Sequence, residues 1–166
     1  MCGFTGFIDN SESNLDYQNI LEKCHKALFF RGPDQNKRYL DNENRIYLNF
    51  DRLSFFDLSE DGNQPMISKN KRYLILINGE IYNFRELNKI LERDNIYTNK
   101  KSDVAVSLEF ISKYGLDQFL KDAIGMFAMV IFDLLNKELN IISDQFSQKP
   151  LYYSIQKNIF FFSSDL

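Results

Sequence analysis

The second residue of the sequence, Cys2, is a nucleophile placed where it can become the N-terminus. We expect Met1 to be removed because the second side chain is small, which leaves Cys2 with a free α-amine. The pKa of such an amine is about 8. A general base is most effective when its pKa lies near the working pH, so this amine is well suited to act as one. One residue would then supply both a thiol nucleophile and its base. Position alone supports this hypothesis about as well as the alternative, a small residue that enters a strand.

The single histidine of the chain, His25, limits which other catalytic centres could form. A serine or cysteine nucleophile paired with histidine would have to use it, and a zinc site with several imidazoles is excluded. His25 follows Cys24 on a predicted helix, so we expect His25 to be a surface or boundary residue. Cys24 lies on the apolar face of that helix and is predicted to belong to the core. If the protein is an enzyme, its base is therefore something other than imidazole.

The pair Asn78-Gly79 follows a predicted buried strand and could point two hydrogen-bond donors at one place. An amide side chain and a backbone N–H are the kind of donors that stabilise an oxyanion. Glycine also lets a substrate approach the backbone closely. An ordinary Asn-Gly turn is the more common use of this pair, and the next residue, Glu80, could bind an ammonium group or be solvated.

Two residues of opposite charge could recognise the ends of a small zwitterion. Arg52 follows a predicted strand, and its guanidinium can hold a carboxylate through two hydrogen bonds. Asp103 begins a predicted helix, where the helix dipole stabilises an ionised carboxylate that suits a substrate ammonium group. A surface salt bridge and a structural acid in the first helical turn are the alternatives.

Length and composition limit which class of protein this sequence can encode. The chain has 166 residues, of which 44% are hydrophobic and 26% charged, so we expect one domain over residues 1–166 with a substantial core. The net charge of −3 favours neither a nucleic-acid partner nor an anionic membrane surface. No apolar run approaches the roughly 18 residues of a membrane span, and the N-terminus does not resemble a signal peptide. We therefore expect a cytoplasmic protein.

Hydrophobic spacing predicts the elements of the first half of the chain. Apolar side chains between Tyr17 and Leu28 recur with helical spacing, and Arg31-Gly32-Pro33-Asp34 should end that helix. Residues 57–65 are typical of an ordered loop, and Asn78-Gly79 should form a turn that ends the preceding strand. Short apolar or alternating runs predict strands over residues 3–8, 45–50 and 73–77.

The second half is predicted to contain two helices followed by strands. Asn83 can cap the first helix and Ser102 the second. Four strands are predicted over residues 126–134, 139–143, 151–154 and 159–163. Strands, then two helices, then strands again indicate a layered α+β domain.

Nine short motifs occur along the chain, each of them weak when taken alone. They are Met1-Cys2-Gly3, Arg31-Gly32-Pro33-Asp34, Arg52-Leu53-Ser54, Asp57-Leu58-Ser59, Gly62-Asn63-Gln64-Pro65-Met66, Asn78-Gly79-Glu80-Ile81-Tyr82-Asn83, Ser102-Asp103, Gly125-Met126-Phe127-Ala128 and Lys149-Pro150-Leu151-Tyr152-Tyr153. In this order and spacing the chain resembles the glutaminase domain of glutamine-hydrolysing asparagine synthetases, which are class II glutamine amidotransferases. The resemblance covers essentially the whole chain.

The resemblance implies a four-layer αββα sandwich of the N-terminal nucleophile hydrolases, with two packed and mainly antiparallel sheets. It implies hydrolysis of glutamine to glutamate and ammonia through a Cys2 thioester, with the α-amine of Cys2 as base. The Asn78 side chain and the Gly79 N–H would form the oxyanion hole. Arg52 would hold the α-carboxylate of glutamine, and the residues that would hold its α-ammonium group are Asp103 and Glu80.

The resemblance also implies what lies outside this chain. Nothing here resembles the phosphate loop of an ATP-pyrophosphatase, so ATP and Mg²⁺ are expected only in a separate synthetase domain or subunit, and this domain needs no cofactor. The ammonia would serve asparagine synthesis, or a sugar or another carboxylate acceptor. The partners implied are glutamine and the synthetase, and a homodimer is allowed. A non-catalytic binding module with the same fold, and a different N-terminal nucleophile hydrolase, are the alternatives.

Several positions depart from the family pattern. Phe30 and Phe50 stand where the family commonly has histidine or another polar residue, and Ser147 stands where it has glycine. Replacing a glycine of positive φ by serine would cost about 1 kcal/mol. The Gly62–Pro65 loop should shape the mouth of the pocket. The aromatic run at residues 159–162 is expected to pack against the absent synthetase part.

Overall fold

The structure, a computed structural model, describes residues 2–11, 15–54 and 62–166. Met1, whose removal the sequence predicts, lies outside the described residues. So do the motif Asp57-Leu58-Ser59 and most of the loop predicted over residues 57–65.

The described residues form nine strands and four helices: one strand and one helix come first, followed by four strands, three helices and four more strands. Its strands are β1 (Gly3–Asp9), β2 (Gln35–Asp41), β3 (Ile46–Arg52), β4 (Met66–Ile67), β5 (Tyr73–Ile81), β6 (Gly125–Asp133), β7 (Glu138–Ser143), β8 (Tyr152–Gln156) and β9 (Ile159–Ser163). Its helices are α1 (Tyr17–Leu28), α2 (Phe84–Arg93), α3 (Asp103–Tyr114) and α4 (Leu116–Asp122), with a 3-10 turn at Phe29–Arg31.

The strands form two antiparallel sheets. The first has the order β2-β3-β1-β9-β8 and the second the order β4-β5-β6-β7. Apolar side chains of both sheets meet in a core between them, and among its buried members are Phe4, Leu48, Leu76, Val130 and Phe162. Burial of each such side chain contributes about 1.5–3 kcal/mol.

Helices cover the two outer faces. On the first sheet, Leu21 of α1 packs with Phe7 and Tyr47. On the second sheet, α2, α3 and α4 supply a larger core that includes Leu87 and Phe119. Helix, sheet, sheet and helices are therefore stacked in four layers. The predicted α+β class and the αββα sandwich are both confirmed.

Three described elements were missed by hydrophobic spacing. Strand β2 is an edge strand whose residues are all exposed or half-buried, so it shows no apolar alternation. Strand β4 has only two residues, and α4 is a seven-residue helix in which Phe119 is the buried side chain. None of the helices within the described ranges is long and apolar enough to span a lipid bilayer.

The turn predicted at Asn78-Gly79 is wrong, because β5 continues through this pair to Ile81. Asn78 is paired with Ala128 and Gly79 with Phe127, so hydrogen bonding to β6 keeps the chain extended. Glycine is needed here for a reason other than a turn. Its φ is +142°, and a Cβ at this position would lie 2.0 Å from the Met126 carbonyl oxygen.

The two predicted helix caps have different outcomes. Ser102 caps α3, since its Oγ accepts a hydrogen bond from the Ala105 N–H at 3.2 Å. Asn83 precedes α2 but makes no side-chain cap. Its amide instead donates to the Asp122 carbonyl at 2.8 Å and accepts from the Ile124 N–H at 2.8 Å. Asn83 therefore ties α2 to the segment that leads into β6.

The aromatic run of β9 packs mainly within this domain, and its expected packing against a synthetase stays a prediction. Ile159 and Phe162 are buried, and Phe162 belongs to the core between the sheets. Exposed apolar side chains lie instead on the neighbouring edge strand β8, where Tyr153 and Ile155 are each more than half exposed.

Ser147 has the positive φ that the family's glycine suggested, with a value of 50°. Its N–H donates to the Asp144 carbonyl at 2.9 Å, and its hydroxyl lies 3.2 Å from that of Ser143. A left-handed backbone is unfavourable for a residue with a Cβ.

We expect Ser147→Gly to stabilise the protein by about 1 kcal/mol, because glycine adopts this conformation without strain. Chemical denaturation followed by circular dichroism measures the change. Ser154→Gly, on exposed strand β8, is the matched control and should be neutral or destabilising. Equal effects of the two substitutions would contradict a strained Ser147.

Candidate functional site

A cavity of about 340 Å³ opens where β1 begins and β3 ends. The end of β5, the start of β6 and the N-terminus of α3 form its other walls. The structure brings all of the predicted site residues to this one cavity. They are Cys2, Arg52, Asn78, Gly79, Glu80 and Asp103.

The Cys2 thiol is held at the end of β3. Gly3 pairs with Asp51 across the two strands, which places the preceding residue, Cys2, beside the end of β3. Its Sγ accepts a hydrogen bond from the Leu53 N–H at 3.4 Å and donates to the Leu53 carbonyl at 3.6 Å. Burial raises the pKa of the Cys2 thiol, and the Leu53 N–H and the Arg52 charge only partly oppose this. The thiol is therefore protonated at neutral pH and needs a base before it can attack.

Asn78 has an amide whose hydrogen-bonding capacity is unused. The side chain is buried, and neither its Nδ2 nor its Oδ1 has a partner in the described part of the chain. A buried amide without partners is costly, and native structures contain few of them. The amide lines the same cavity as the thiol, where a substrate oxygen could accept its hydrogen bond.

Gln64 supports the strand that carries this amide. Its Nε2 donates to the Ile77 carbonyl at 3.1 Å, and its Oε1 accepts from the Ile77 N–H at 2.5 Å. The Gln64 side chain thus satisfies both backbone groups of Ile77, the residue before Asn78, as the main chain of a longer β4 would do. Gln64 and Gly62 both line the cavity, where the resemblance had placed their loop.

The guanidinium of Arg52 is buried, and two neutral amide oxygens of described residues accept hydrogen bonds from it. Its Nη1 donates to Gln35 Oε1 at 2.8 Å and to Asn63 Oδ1 at 3.2 Å. A Cβ at Gly62 would lie 2.3 Å from its Nη2, so glycine leaves room for the guanidinium plane. Asn63 belongs to the Gly62–Pro65 loop that the sequence placed at the pocket mouth. Gln35 was not singled out in the sequence, where an isolated polar residue carries no signal.

Asp103 and Glu80 make another wall of the cavity acidic. The Asp103 carboxylate accepts hydrogen bonds from the Ile81 N–H at 3.0 Å and the Val104 N–H at 2.9 Å. Burial raises the pKa of Asp103 against the effect of these bonds, and the charge of Glu80 raises it further. A bound cation would relieve this repulsion. Lys101 and Lys149 also line the cavity and were not predicted as site residues.

His25 is half-buried, in agreement with the predicted surface or boundary position, and it also contacts a buried carboxylate. Its Nδ1 lies 2.5 Å from Oδ1 of the fully buried Asp51, beside the strand end that carries Arg52. The amides of Asn36 and Asn49 donate to the same carboxylate, at 2.9 and 2.6 Å. Cys24, predicted as core, is only half-buried.

The cavity combines a thiol, an unpartnered amide, a guanidinium and a carboxylate wall. Such a set can hold a small amino acid by its charged ends while its carbonyl group faces the thiol. Among the described residues, no cluster of three or more His, Cys, Asp or Glu side chains could hold a metal ion.

Comparison with known proteins agrees with this chemistry. A family model described as "Glutamine amidotransferase domain" matches residues 1–166. The chain is 35% identical over 170 residues to a probable glutamine-hydrolyzing asparagine synthetase of Acanthamoeba polyphaga mimivirus, covering 100% of this chain and 30% of that protein. It is 32% identical over 168 residues to asparagine synthetase 2 of Bacillus subtilis, covering 100% and 22%. The chain thus spans less than a third of these two relatives.

A solved structure confirms the fold. Glutamine phosphoribosylpyrophosphate amidotransferase from B. subtilis, complexed with ADP and GMP, superposes with a TM-score of 0.76. The match covers 98% of this chain and 42% of that one, at 18% sequence identity. The αββα sandwich predicted from the sequence is therefore the fold of this chain.

We predict that the Cys2 thiol ionises at a higher pH in the folded protein than in the denatured chain, because burial disfavours the thiolate and raises its pKa. A Cys24→Ser variant leaves Cys2 as the single cysteine, and its alkylation by iodoacetamide can be followed by intact mass over a pH series. The same protein in denaturant is the control and should show the ordinary midpoint. A native midpoint below that of the denatured chain would contradict the prediction.

Proposed function

Because the chain belongs to the glutamine amidotransferase domain family, we propose that it hydrolyses glutamine to glutamate and ammonia through a thioester on Cys2. The observation that carries the proposal is the buried Asn78 amide, which has no hydrogen-bond partner among the described residues and lines the same cavity as the thiol. An amide in this state is suited to a negative oxygen that exists only during the reaction.

Charge complementarity supports free glutamine as the substrate. The Arg52 guanidinium would bind the α-carboxylate through two hydrogen bonds. Asp103 and Glu80 would bind the α-ammonium group, which relieves the repulsion between their carboxylates. With the two charged ends held, the side-chain amide of glutamine is the part left to face Cys2.

The reaction then follows from groups of this chain. Once Met1 is removed, the α-amine of Cys2 takes the thiol proton, and the sulfur attacks the side-chain carbonyl carbon of glutamine. The oxyanion accepts hydrogen bonds from Asn78 and from the Gly79 N–H. The protonated α-amine gives its proton to the departing nitrogen, so ammonia leaves and a thioester remains. Water, activated by the same amine, attacks the thioester and releases glutamate with the thiol restored.

The names of the relatives suggest where the ammonia is used. The two relatives described above are named asparagine synthetases, and each is more than three times as long as this chain. We propose that ammonia passes to an ATP-dependent synthetase domain or subunit for asparagine synthesis. ATP and Mg²⁺ would act there, and this domain would need no cofactor. A cytoplasmic location and a homodimer stay predictions.

Asn78→Ala should lower kcat for glutamate release by roughly 100-fold or more and change KM little, because the oxyanion is met only during the reaction. Cys2→Ala should abolish release altogether. Asn140→Ala, on β7 and outside the cavity lining, is the matched control and should keep full activity.

Glutamate release is measured with an enzyme-coupled assay on the purified chain, after intact mass has established whether Met1 is absent. Full activity in Cys2→Ala would overturn the proposed mechanism. Absence of activity in processed wild-type protein would favour a non-catalytic binding module with this fold.

A further inference from the structure

We propose that Gln35 is a positioning residue that aims the Arg52 guanidinium at the α-carboxylate of the substrate, with Asn63 as its second anchor. The inference rests on the proposed function, since it takes Arg52 to be the carboxylate-binding group. It adds a residue from β2, an edge strand that contributes nothing to the predicted set of site residues.

Sheet register brings Gln35 to Arg52. The two residues are direct partners in the antiparallel pairing of β2 with β3, and Gln35 is the first residue of its strand. Directly opposite side chains on one face of a sheet are close enough to interact. Here the Gln35 Oε1 accepts from Arg52 Nη1 at 2.8 Å.

The backbone of Arg52 is restrained as well. Its carbonyl accepts a hydrogen bond from the Asp34 N–H at 3.1 Å, one residue before Gln35. Asp34 also accepts from the Ser54 N–H through its carboxylate, at 2.7 Å. The start of β2 thus fixes both the main chain and the side chain of the carboxylate-binding residue.

Within residues 2–11, 15–54 and 62–166, the two side chains that accept from Nη1 do so through neutral amide oxygens. Each can orient the guanidinium plane through a hydrogen bond, and neither adds a negative charge at that nitrogen. A carboxylate in the place of Gln35 would make a stronger bond but would offset the positive charge that the substrate needs. The absence of charge on the Gln35 side chain, and not only its hydrogen bond to Arg52, therefore favours binding of an anionic ligand.

Orientation matters because a guanidinium binds a carboxylate as a planar fork. A long arginine side chain without fixed partners samples many rotamers, and binding would then have to select one of them. Asn63, at 3.2 Å, and the close approach of Gly62 restrict the plane further. The loop that shapes the cavity mouth and strand β2 thus hold the same group from two sides.

Two variants of Gln35 separate these effects. Gln35→Met keeps the size and removes the acceptor, and we expect KM for glutamine to rise roughly tenfold with kcat within about twofold. Gln35→Glu keeps an acceptor and adds charge, and KM should rise at least as much. Gln156→Met, on the exposed strand β8, is the matched control and should leave both constants unchanged.

A substrate without the carboxylate gives the decisive readout. Glutaminamide carries an amide in place of the α-carboxylate, so its kcat/KM should be the same in wild type and in both Gln35 variants. Alkylation of Cys2 provides a parallel readout that does not need turnover. The variants should react more slowly with an α-amino-acid chloroketone analogue of glutamine and at the wild-type rate with iodoacetamide.

The outcomes distinguish this inference from the proposed function. Equal losses with both substrates and both alkylating agents would show a general structural defect and overturn the role of Gln35, as would unchanged constants for glutamine. If wild-type protein does not turn over glutamine, the proposed function fails, and the alkylation comparison still decides the role of Gln35. Thermal unfolding of each variant shows whether it is folded, and an unfolded pair of variants would likewise overturn a purely positioning role.

Discussion

The antiparallel pairing of β1 with β3 is the interaction on which the site depends. Gly3 is opposite Asp51, so Cys2 meets Leu53 and shares a cavity with Arg52. Strand β1 is the central strand of its sheet, and β3 is paired on both sides. A shift of one residue would turn the side chains of each strand to the opposite face and remove Phe4 from the core. The nucleophile is thus placed by one of the most strongly specified parts of the fold.

The second sheet provides the groups that face the nucleophile. Asn78 is paired with Ala128 on β6, and the core between the sheets sets the separation of this strand from β1. Apolar packing at the density of protein interiors resists small displacements. Each sheet therefore carries one half of the site, and the common core fixes the two halves relative to each other. The α3 N-terminus adds Asp103 through its hydrogen bond to the Ile81 N–H.

Several groups at this site lower the stability of the folded protein. The Asn78 amide is buried and has no partner in the part of the chain that the structure describes, the Cys2 thiol is desolvated, and the Asp103 carboxylate is buried near Glu80. The buried amide and the crowded carboxylates are unfavourable, and a ligand with a carbonyl oxygen and an ammonium group relieves both. Burial of the neutral thiol disfavours only its ionised form. The large apolar cores on both sides of the second sheet offset such costs. Departures from ideal local structure are expected at functional sites for this reason.

The sequence by itself determined the elements with strong apolar periodicity, the layered class and the identity of the candidate site residues. Only the tertiary structure decided how β5 runs through Asn78-Gly79 and that His25 meets Asp51. It also decided that Gln35 on the polar edge strand β2 holds Arg52. Periodicity reports which side chains prefer a core, and it does so locally. Pairing partners, and the polar contacts that follow from them, are chosen between segments distant in the chain, so only the assembled fold specifies them.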